Sequence, residues 1–490
     1  MTKRGSVLQG LMVLALACSL VLVLTGVASA AKPFGLADIP EIKNRRPIRV
    51  ATMGGLPVVE ELIPKFIKTF QEHTGIEVIQ EKMIMTSIYP KLNVELVAGT
   101  GAYDAIIVEA STINEWARFL WPLKELAAAY EPEGVEAFNR YLEGIDKAML
   151  RCASDRDGRL LGIPYWNYEQ VHAYRKDLFE DPTERANFKK RYGYELASPT
   201  TRQQLYDQAE FFTRKKGELL KGKSLEADLY GVALMAGRYE INDEFSTMIW
   251  GAGGHWATLG KDKHGDPKEF VITKKDKEAM KEAIVWYKSL LKLASPGCLT
   301  GFWDFTTAQF VEGKCVQIPF FYISLDSWGA QVQEKIPGAE IALAPAIGGQ
   351  GYIGNFSQGV AKASKNPEAA YWLQKYLGSY ECQKELIEGG LSGIRRDVLD
   401  DPKYKTAEWW NKVGRRASAN TKAWDSQLPY VDSYIHFNSS AMGKIYEQQI
   451  IVMHDAAIGK LPPDEAVREM TRQIMKLQRK FGQLPISEEK

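Results

Sequence analysis

Hydrophobic positions near the start of the chain follow two different spacings. Ile48–Met53 is a short β-rich run that ends at Gly54-Gly55. Beyond the glycines, apolar residues recur at steps of three and four: Val59, Leu62, Ile63, Phe66, Ile67 and Phe70. The run predicts a buried strand and the later spacing predicts an amphipathic helix, with the glycines as the loop between them.

The alternation continues further along the chain. Residues 76–84 form a second strand-like run, residues 87–98 have a helical pattern, and residues 105–108 are a third apolar run. Strands that alternate with helices imply a mainly parallel sheet covered on both faces. We therefore expect an α/β protein.

The first thirty residues have the pattern of a secretory signal peptide. Lys3 and Arg4 precede an apolar run over residues 11–24, and Ala28-Ser29-Ala30 offers the small residues that signal peptidase accepts. We expect cleavage near Ala30 and a periplasmic protein. A retained membrane helix and a lipid anchor at Cys18 are the alternatives. The small residues after the run disfavour the first, and the apolar residues that continue past Cys18 disfavour the second.

Composition narrows the class of partner. The chain has 490 residues and a formal net charge of +1, which becomes −1 when Lys3 and Arg4 are removed. A nearly neutral chain is not expected to bind nucleic acid through its charge. About 460 residues remain after cleavage, enough for two or three domains, and no other long apolar stretch is present.

Four cysteines remain after cleavage: Cys152, Cys298, Cys315 and Cys382. Their wide spacing excludes a zinc-finger pattern, and in an oxidising compartment they allow at most two disulfides. A bond between Cys298 and Cys315 closes the shortest loop and is the first pairing to test. Isolated buried thiols are the alternative, and the disulfide state stays open at this point.

Motifs for catalysis are weak or absent. Residues 217–224 match the phosphate-loop pattern letter for letter, but a helical segment precedes them and Leu219 and Leu220 fill the loop. The six histidines include no His-Glu-x-x-His pair, and no Gly-x-Ser-x-Gly elbow occurs. We expect no catalytic residue, metal or cofactor. Acidic pairs for glycoside hydrolysis stay open, because their separation is invisible in the sequence.

Aromatic residues cluster in predicted loops and at strand ends. The clusters are Tyr165-Trp166-Asn167-Tyr168-Glu169, Trp250, Phe302-Trp303-Asp304, Phe320-Phe321-Tyr322 and Trp328. A pyranose presents an apolar C–H face to a ring and hydroxyls to polar groups, so such clusters suit a carbohydrate ligand. A place in the core is the alternative for each ring.

Several segments resemble one known family in the family's own order. They are Thr74-Gly75-Ile76-Glu77-Val78, Gly99-Thr100-Gly101-Ala102-Tyr103-Asp104, Gly162-Ile163-Pro164-Tyr165, Tyr174-Arg175-Lys176-Asp177-Leu178-Phe179, Trp250-Gly251-Ala252-Gly253-Gly254 and Phe310-Val311-Glu312-Gly313-Lys314. The chain thus resembles the extracellular solute-binding proteins of carbohydrate ABC importers. The resemblance spans most of the mature chain.

The resemblance implies a two-lobe periplasmic binding-protein fold with a hinge and with ligand in the inter-lobe cleft. Beyond the signal peptide (residues 1–30), it implies an N-terminal lobe of residues 31–110 and 314–356 and a C-terminal lobe of residues 111–313 and 357–490. The implied partners are a sugar or polyol and the permease subunits of an importer, with a monomeric receptor and no enzymatic activity. The alternatives are a secreted carbohydrate-active enzyme and a receptor of the same fold for a polyamine or an anion.

The resemblance and the aromatic clusters together give the candidate ligand-binding residues. They are Gly55, Tyr89, Tyr165, Trp166, Trp250, Gly254, Trp303, Phe320, Tyr322 and Arg395. Whether Arg395 or its neighbour Arg396 faces the cleft is open. Residues 219–229 and those after Pro402 are additional to many family members and have no assigned role.

Overall fold

A computed structural model describes residues 33–322, 328–405, 431 and 434–489. The predicted signal peptide and its cleavage site lie outside the described residues. Short 3-10 helices occupy Leu36–Asp38, Ala117–Phe119, Cys298–Thr300 and Pro402–Lys405.

The strands are labelled β1 to β13 in chain order: Ile48–Met53, Val78–Met83, Ala105–Glu109, Ile163–Arg175, Leu219–Leu220, Lys223–Ser224, Tyr230–Val232, Thr258–Lys261, Pro267–Ile272, Cys315–Tyr322, Ile341–Ala344, Ile353–Val360 and Ile486–Glu488. The α-helices of the described residues are labelled α1 to α19: Pro57–Thr74, Met85–Ala98, Ile113–Trp116, Leu123–Tyr130, Val135–Glu143, Lys147–Cys152, Lys176–Phe179, Pro182–Tyr192, Arg202–Phe212, Ile241–Gly251, Lys274–Leu291, Trp303–Val311, Trp328–Lys335, Pro367–Leu377, Tyr380–Glu388, Arg396–Leu399, Ile435–Asn438, Met442–Ala457 and Pro463–Phe481.

The first strand and helix form where the hydrophobic pattern predicts them. β1 is buried at every position except Arg49. Helix α1 has Pro57 at its first turn, where a missing N–H costs nothing, and ends at Gly75 in the left-handed conformation with φ 69°. Its buried side includes Val59, Ile63 and Phe70. Both predictions are therefore confirmed.

The main sheet is mixed, so the expectation of a mainly parallel sheet is wrong. Its strand order is β2-β1-β3-β12-β4-β10-β7, with β11 paired to β4. β1 is parallel to β2 and β3, and β10 is parallel to β7. β12 is antiparallel to both β3 and β4, and β10 and β11 are antiparallel to β4. These antiparallel partners lie far apart along the chain, so local periodicity does not indicate them.

Strand β4 connects the two halves of this sheet. Its first half, from Ile163 to Glu169, pairs with β12. Its second half, from Gln170 to Arg175, pairs with β10 and β11. Because one continuous strand takes part in both halves, the side chains near its middle lie where the two halves meet.

The predicted lobe boundaries stay a prediction. The described residues from Gly35 onward form one compact unit. Strand β10, which falls in the predicted N-terminal lobe, pairs with β4 and β7. Strand β12, which spans the predicted boundary at residue 356, pairs with β3 and β4.

The phosphate-loop match is a β-hairpin. Leu219–Leu220 and Lys223–Ser224 pair antiparallel across a turn in which Lys221 has φ 51° and Gly222 has φ 75°. A phosphate loop must leave a buried strand and open a helix so that its amides converge. The rejection of nucleotide binding at this segment agrees with that geometry.

The four cysteines after Ala30 are free and buried, so the structure shows no bond between Cys298 and Cys315, the pairing that the sequence left open. Burial raises the pKa of Cys152 to about 12 and that of Cys298 to about 11. Thiols of this kind are largely protonated at neutral pH and unreactive. The alternative of isolated buried thiols holds.

No helix in the described part of the chain combines the length and the apolar composition that a membrane span requires.

Candidate functional site

A cavity of about 360 Å³ lies where the two halves of the main sheet meet. The residues that line it include the end of β1 and the β1–α1 loop, Ile84, the end of β3 and the middle of β12: Met53, Gly54, Gly55, Leu56, Ile84, Glu109 and Phe356. Aromatic side chains supply much of the rest: Trp166, Tyr168, Tyr239, Phe302, Trp303 and Tyr322. Carboxyl groups complete it: Glu109, Glu240, Asp243 and Asp304.

The period of strand β4 decides which of its aromatic residues reach the cavity. Successive side chains of a strand point to opposite faces. Trp166 and Tyr168 line the cavity, and the side chain of Asn167 between them points to the other face. The carbonyl of Tyr165 accepts from Gln383 Nε2 at 2.7 Å, and Asn167 Nδ2 donates to the carbonyl of Gly393.

Trp166 offers a hydrogen-bond donor to the cavity. Its ring packs on Phe356 with centroids 4.8 Å apart, and the side chain is 3% exposed. The indole Nε1 is buried and has no acceptor among the described residues. A buried donor without a partner costs free energy, so a ligand oxygen placed here would gain a hydrogen bond that the empty site lacks.

Tyr168 stands at the end of a stack of rings. Its ring is parallel to that of Tyr352 at 6.0 Å, Tyr352 is parallel to Trp250 at 5.7 Å, and Trp250 is parallel to Tyr434 at 4.5 Å. Trp250 is 1% exposed and lies outside the cavity wall. It therefore supports the wall from behind through Tyr352.

Gly354 of β12 leaves room for the Tyr168 ring. A Cβ at this glycine would lie 2.3 Å from the Tyr168 hydroxyl oxygen. That hydroxyl donates to Glu109 Oε1 at 2.8 Å, and Ser111 donates to Oε2 of the same carboxyl at 3.1 Å. Burial raises the pKa of Glu109 in spite of these two bonds.

Asp243 is held by two tyrosines. Tyr322 donates to its Oδ2, and Tyr446 donates to its Oδ1 at 2.8 Å. Burial raises the pKa of Asp243 to about 8, although both hydrogen bonds favour the ionised form. Desolvation therefore outweighs hydrogen bonding at this carboxyl.

This pKa shift gives a pH-dependent contribution to stability. The folded carboxyl of Asp243 keeps its proton up to about pH 8, whereas the ordinary carboxyl loses it near 3.8. The folded state binds more protons between these values, so the free energy of unfolding falls as the pH rises from about 4 to about 8. We expect Asp243→Asn to reduce this fall by about 1 kcal/mol or more.

Chemical denaturation of both proteins at pH 5 and pH 8 measures the effect. Glu244, whose pKa burial also raises to about 8, keeps part of the pH dependence in the variant. An equal fall in both proteins would contradict the assignment to Asp243.

Glu240 differs from the other two buried carboxyls of the wall. It is 6% exposed, and its Oε2 has no hydrogen-bond partner among the described residues. Burial, together with the nearby carboxyls of Asp243 and Asp304, raises its pKa well above the ordinary value.

Some of the predicted ligand-binding residues do line the cavity: Gly55, Trp166, Trp303 and Tyr322. Gly55 has φ 98°, a conformation that glycine adopts without strain. Its amide donates to Glu60 Oε1 at 2.9 Å, which holds the loop after β1 in place. Trp303 opens helix α12 and is half-buried.

Other predicted residues lie outside the wall. Tyr89 donates to Glu115 Oε2 at 2.9 Å and stacks on Trp116. Phe320 packs edge-on against Trp286 with centroids 6.5 Å apart. A Cβ on Gly254 would lie 2.4 Å from the Ala279 Cβ, so this glycine permits close packing on helix α11.

Neither arginine that the sequence left open lines the cavity. Arg395 is 4% exposed, donates from Nε to Asp397 Oδ1 at 2.9 Å, and lies over the ring of Tyr141. Arg396 pairs with Asp146. Tyr165 and Trp250 likewise do not line the cavity.

Sequence reasoning missed Glu109, Tyr239, Glu240 and Asp243. Tyr239 and Glu240 directly precede helix α10, with Glu240 at its N-cap, and Asp243 lies in the first turn of the helix. Buried polar residues in a run of otherwise apolar helix were an available signal. Within the part of the chain described, no three His, Cys, Asp or Glu side chains form a group that could hold a metal ion.

Solved structures share this fold. A solute-binding protein of an ABC transporter from Agrobacterium radiobacter K84, in complex with ribitol, has a TM-score of 0.67 at 18% identity. One from Agrobacterium vitis S4 with bound D-mannitol has 0.65 at 17%, and maltose-bound MalE3 from T. maritima has 0.63 at 18%. Each comparison covers 89% of this chain and 100% of the other. The two-lobe periplasmic binding-protein fold is thereby confirmed.

A family model agrees with the fold and covers about two thirds of the sequence. It describes bacterial extracellular solute-binding proteins and matches residues 57–384. The matched region includes every described residue of the cavity wall except Met53, Gly54, Gly55 and Leu56. The chain belongs to the bacterial extracellular solute-binding protein family.

Proposed function

We propose that this protein is the substrate-binding receptor of an ABC importer for a sugar or polyol. The observation that carries the proposal is the cavity wall, in which aromatic rings alternate with hydrogen-bonding groups. Rings suit the C–H faces of a sugar, while carboxyls and the free indole N–H of Trp166 suit its hydroxyls. Three structures of the same fold hold ribitol, D-mannitol and maltose.

The size of the cavity favours a small ligand. Its volume of about 360 Å³ lies near the lower end of the range of roughly 300–1,000 Å³ for small-molecule sites. We therefore propose a ligand of one or two sugar units, or an open-chain polyol.

The wall has enough groups for useful affinity. A micromolar ligand needs a binding free energy of about −8 kcal/mol. Each buried ring contributes roughly 1.5–3 kcal/mol and each charge-assisted hydrogen bond about as much, before the cost of ordering the complex. Trp166, Trp303 and Tyr239, with the carboxyls beside them, supply contributions of that total size.

Capture by lobe closure is part of the proposal. The cavity is lined by one group of residues before β4, namely the β1–α1 loop, Ile84 and Glu109, and by a second group after β4, which includes Tyr239, Asp243 and Trp303. We propose that these groups belong to opposite lobes and that β4 and β12 act as hinge strands. Closure then brings together contacts that the open form lacks, and permease subunits recognise the closed form. We propose a monomeric receptor in the periplasm, reached by cleavage near Ala30.

A ligand panel tests the function. The mature protein is titrated with sugars and polyols while its tryptophan fluorescence is followed, and each ligand is analysed afterwards for chemical change. We expect saturation at one ligand per protein, with the ligand recovered unaltered. Formation of a product would instead support a secreted carbohydrate-active enzyme, since the wall carries several carboxyl groups.

A further inference from the structure

The cavity wall is rich in carboxyl groups. Among the described residues, four carboxyl groups line it, and none of the lining residues is a lysine, an arginine or a histidine. Burial of unpaired carboxyls is costly, and proteins compensate it with a cation, with hydrogen bonds or with a proton.

Hydrogen bonds account for two of the three buried carboxyls. The hydroxyls of Tyr168 and Ser111 donate to the two carboxyl oxygens of Glu109. The hydroxyls of Tyr322 and Tyr446 donate to the two carboxyl oxygens of Asp243, so each of these four oxygens has a donor.

Glu240 has an oxygen that no described residue satisfies. Its Oε2 has no hydrogen-bond partner among the described residues, although the residue is only 6% exposed. Glu244, one turn further along α10, makes the contrast. Met235 donates its amide to Glu244 Oε1 at 2.8 Å, and Tyr287 donates to Oε2. Glu240, whose carboxyl has the unsatisfied oxygen, is a lining residue of the cavity, and Glu244 is not.

An ammonium group satisfies this position best. A neutral hydroxyl donates one hydrogen bond and brings no charge, whereas an ammonium supplies both a donor and a positive charge that stabilises the ionised carboxylate. Tyr239, Trp303 and Phe302 line the same part of the wall, and aromatic faces attract cations. A metal ion is a poorer match, because the described carboxyls do not converge into a group that could hold one.

We propose that the ligand is an amino sugar or an amino polyol and that Glu240 binds its protonated amine. This inference rests on the proposed function, since it adds a charged group to a polyhydroxylated ligand in the same cavity. The rings and Trp166 Nε1 contact the hydroxylated part, and Glu240 selects the amine.

Binding of an ammonium then releases a proton. The groups that face Glu240 are Tyr239, Asp243 and Glu244 near it in the chain, Tyr322 on β10 and Asp304 on α12. Burial and the nearby carboxyls raise the pKa of Glu240 well above its ordinary value, so the free carboxyl favours its protonated form more than an exposed glutamate does. An ammonium stabilises the carboxylate and displaces that proton, whereas a neutral sugar does not.

Calorimetry with matched probes tests the proposal. Glucosamine is compared with glucose, and 1-amino-1-deoxysorbitol with sorbitol, because each pair differs in one amine. Titrations at pH 7 in two buffers of different ionisation enthalpy measure the protons released. We expect each amine to bind about tenfold or more tightly than its hydroxyl partner, and to release protons that the hydroxyl partner does not release.

Two variants separate charge from shape. Glu240→Gln keeps the size of the side chain, and we expect it to remove both the preference for the amine and the proton release. Glu244→Gln changes a buried carboxyl on the same helix that does not line the cavity, and we expect it to keep the preference. Circular dichroism and thermal melting confirm that both variants fold.

The outcomes distinguish this inference from the function on which it rests. Equal or tighter binding of glucose or sorbitol would overturn the amine and leave the sugar receptor intact. Binding of spermidine alone would overturn the sugar or polyol ligand. Binding of none of the five probes, followed by failure of the whole sugar and polyol panel, would overturn both.

Discussion

Replacement of Trp250 by alanine is expected to lower the free energy of unfolding by about 3–5 kcal/mol. The side chain is 1% exposed and stacks between Tyr352 and Tyr434 at 5.7 and 4.5 Å. Removal of the indole leaves a cavity inside this stack that the close-packed rings around it fill only in part. Urea denaturation of the mature protein, with and without the substitution, measures the loss.

Trp286 supplies the matched control. It is half-buried, packs edge-on against Phe320, and lies beneath the guanidinium of Arg202. Trp286→Ala therefore removes the same side chain from a less enclosed place, and we expect a smaller loss of stability. Trp250→Phe keeps a ring in the stack and should recover part of the loss. A Trp250→Ala protein of unchanged stability that no longer binds sugar would show that Trp250 contacts ligand directly.

Trp303→Ala is expected to weaken binding of the best sugar or polyol of the panel by about 10- to 100-fold, equivalent to roughly 1.5–3 kcal/mol. Trp303 opens helix α12 at the cavity wall, next to Phe302 and Asp304. Its side chain lines the cavity and stays partly exposed in the free protein. The loss should therefore fall on affinity more than on stability.

Isothermal calorimetry with that ligand, together with thermal melting, measures both quantities. Trp286→Ala again serves as the control, since Trp286 lies outside the cavity wall and should leave affinity unchanged. A Trp303→Ala protein with wild-type affinity would remove the aromatic contact on which the sugar assignment depends.

Prediction from sequence was most successful where a signal is local. The strand and helix around Gly54-Gly55 follow from apolar spacing, and Gly55, Trp166, Trp303 and Tyr322 reach the cavity as expected. It was least successful where a shift of one residue along a strand moves the side chain to the opposite face of the sheet. Tyr165 was chosen with Trp166, but side chains alternate along β4, so only the second faces the cavity.

Long-range pairing explains the remaining errors. β12 lies antiparallel between β3 and β4. The local pattern of residues 353–360 does not indicate which strands, some 200 residues away, will pair with it. The buried carboxyls of Asp243 and Glu240 were missed for the same reason. Their partners, or the lack of one, come from segments as distant as Tyr322 and Tyr446.

The amino-acid sequence by itself determined the α/β class, the family resemblance and several of the aromatic residues, because hydrophobic periodicity, capping glycines and short motifs are properties of neighbouring residues. Only the tertiary structure decided that the sheet is mixed, that Trp250 is a support rather than part of the wall, and that Glu240 faces the cavity with an unsatisfied oxygen. Burial and hydrogen-bond partnership depend on segments that meet only when the chain has folded, and these quantities set the charge and the affinity of the site.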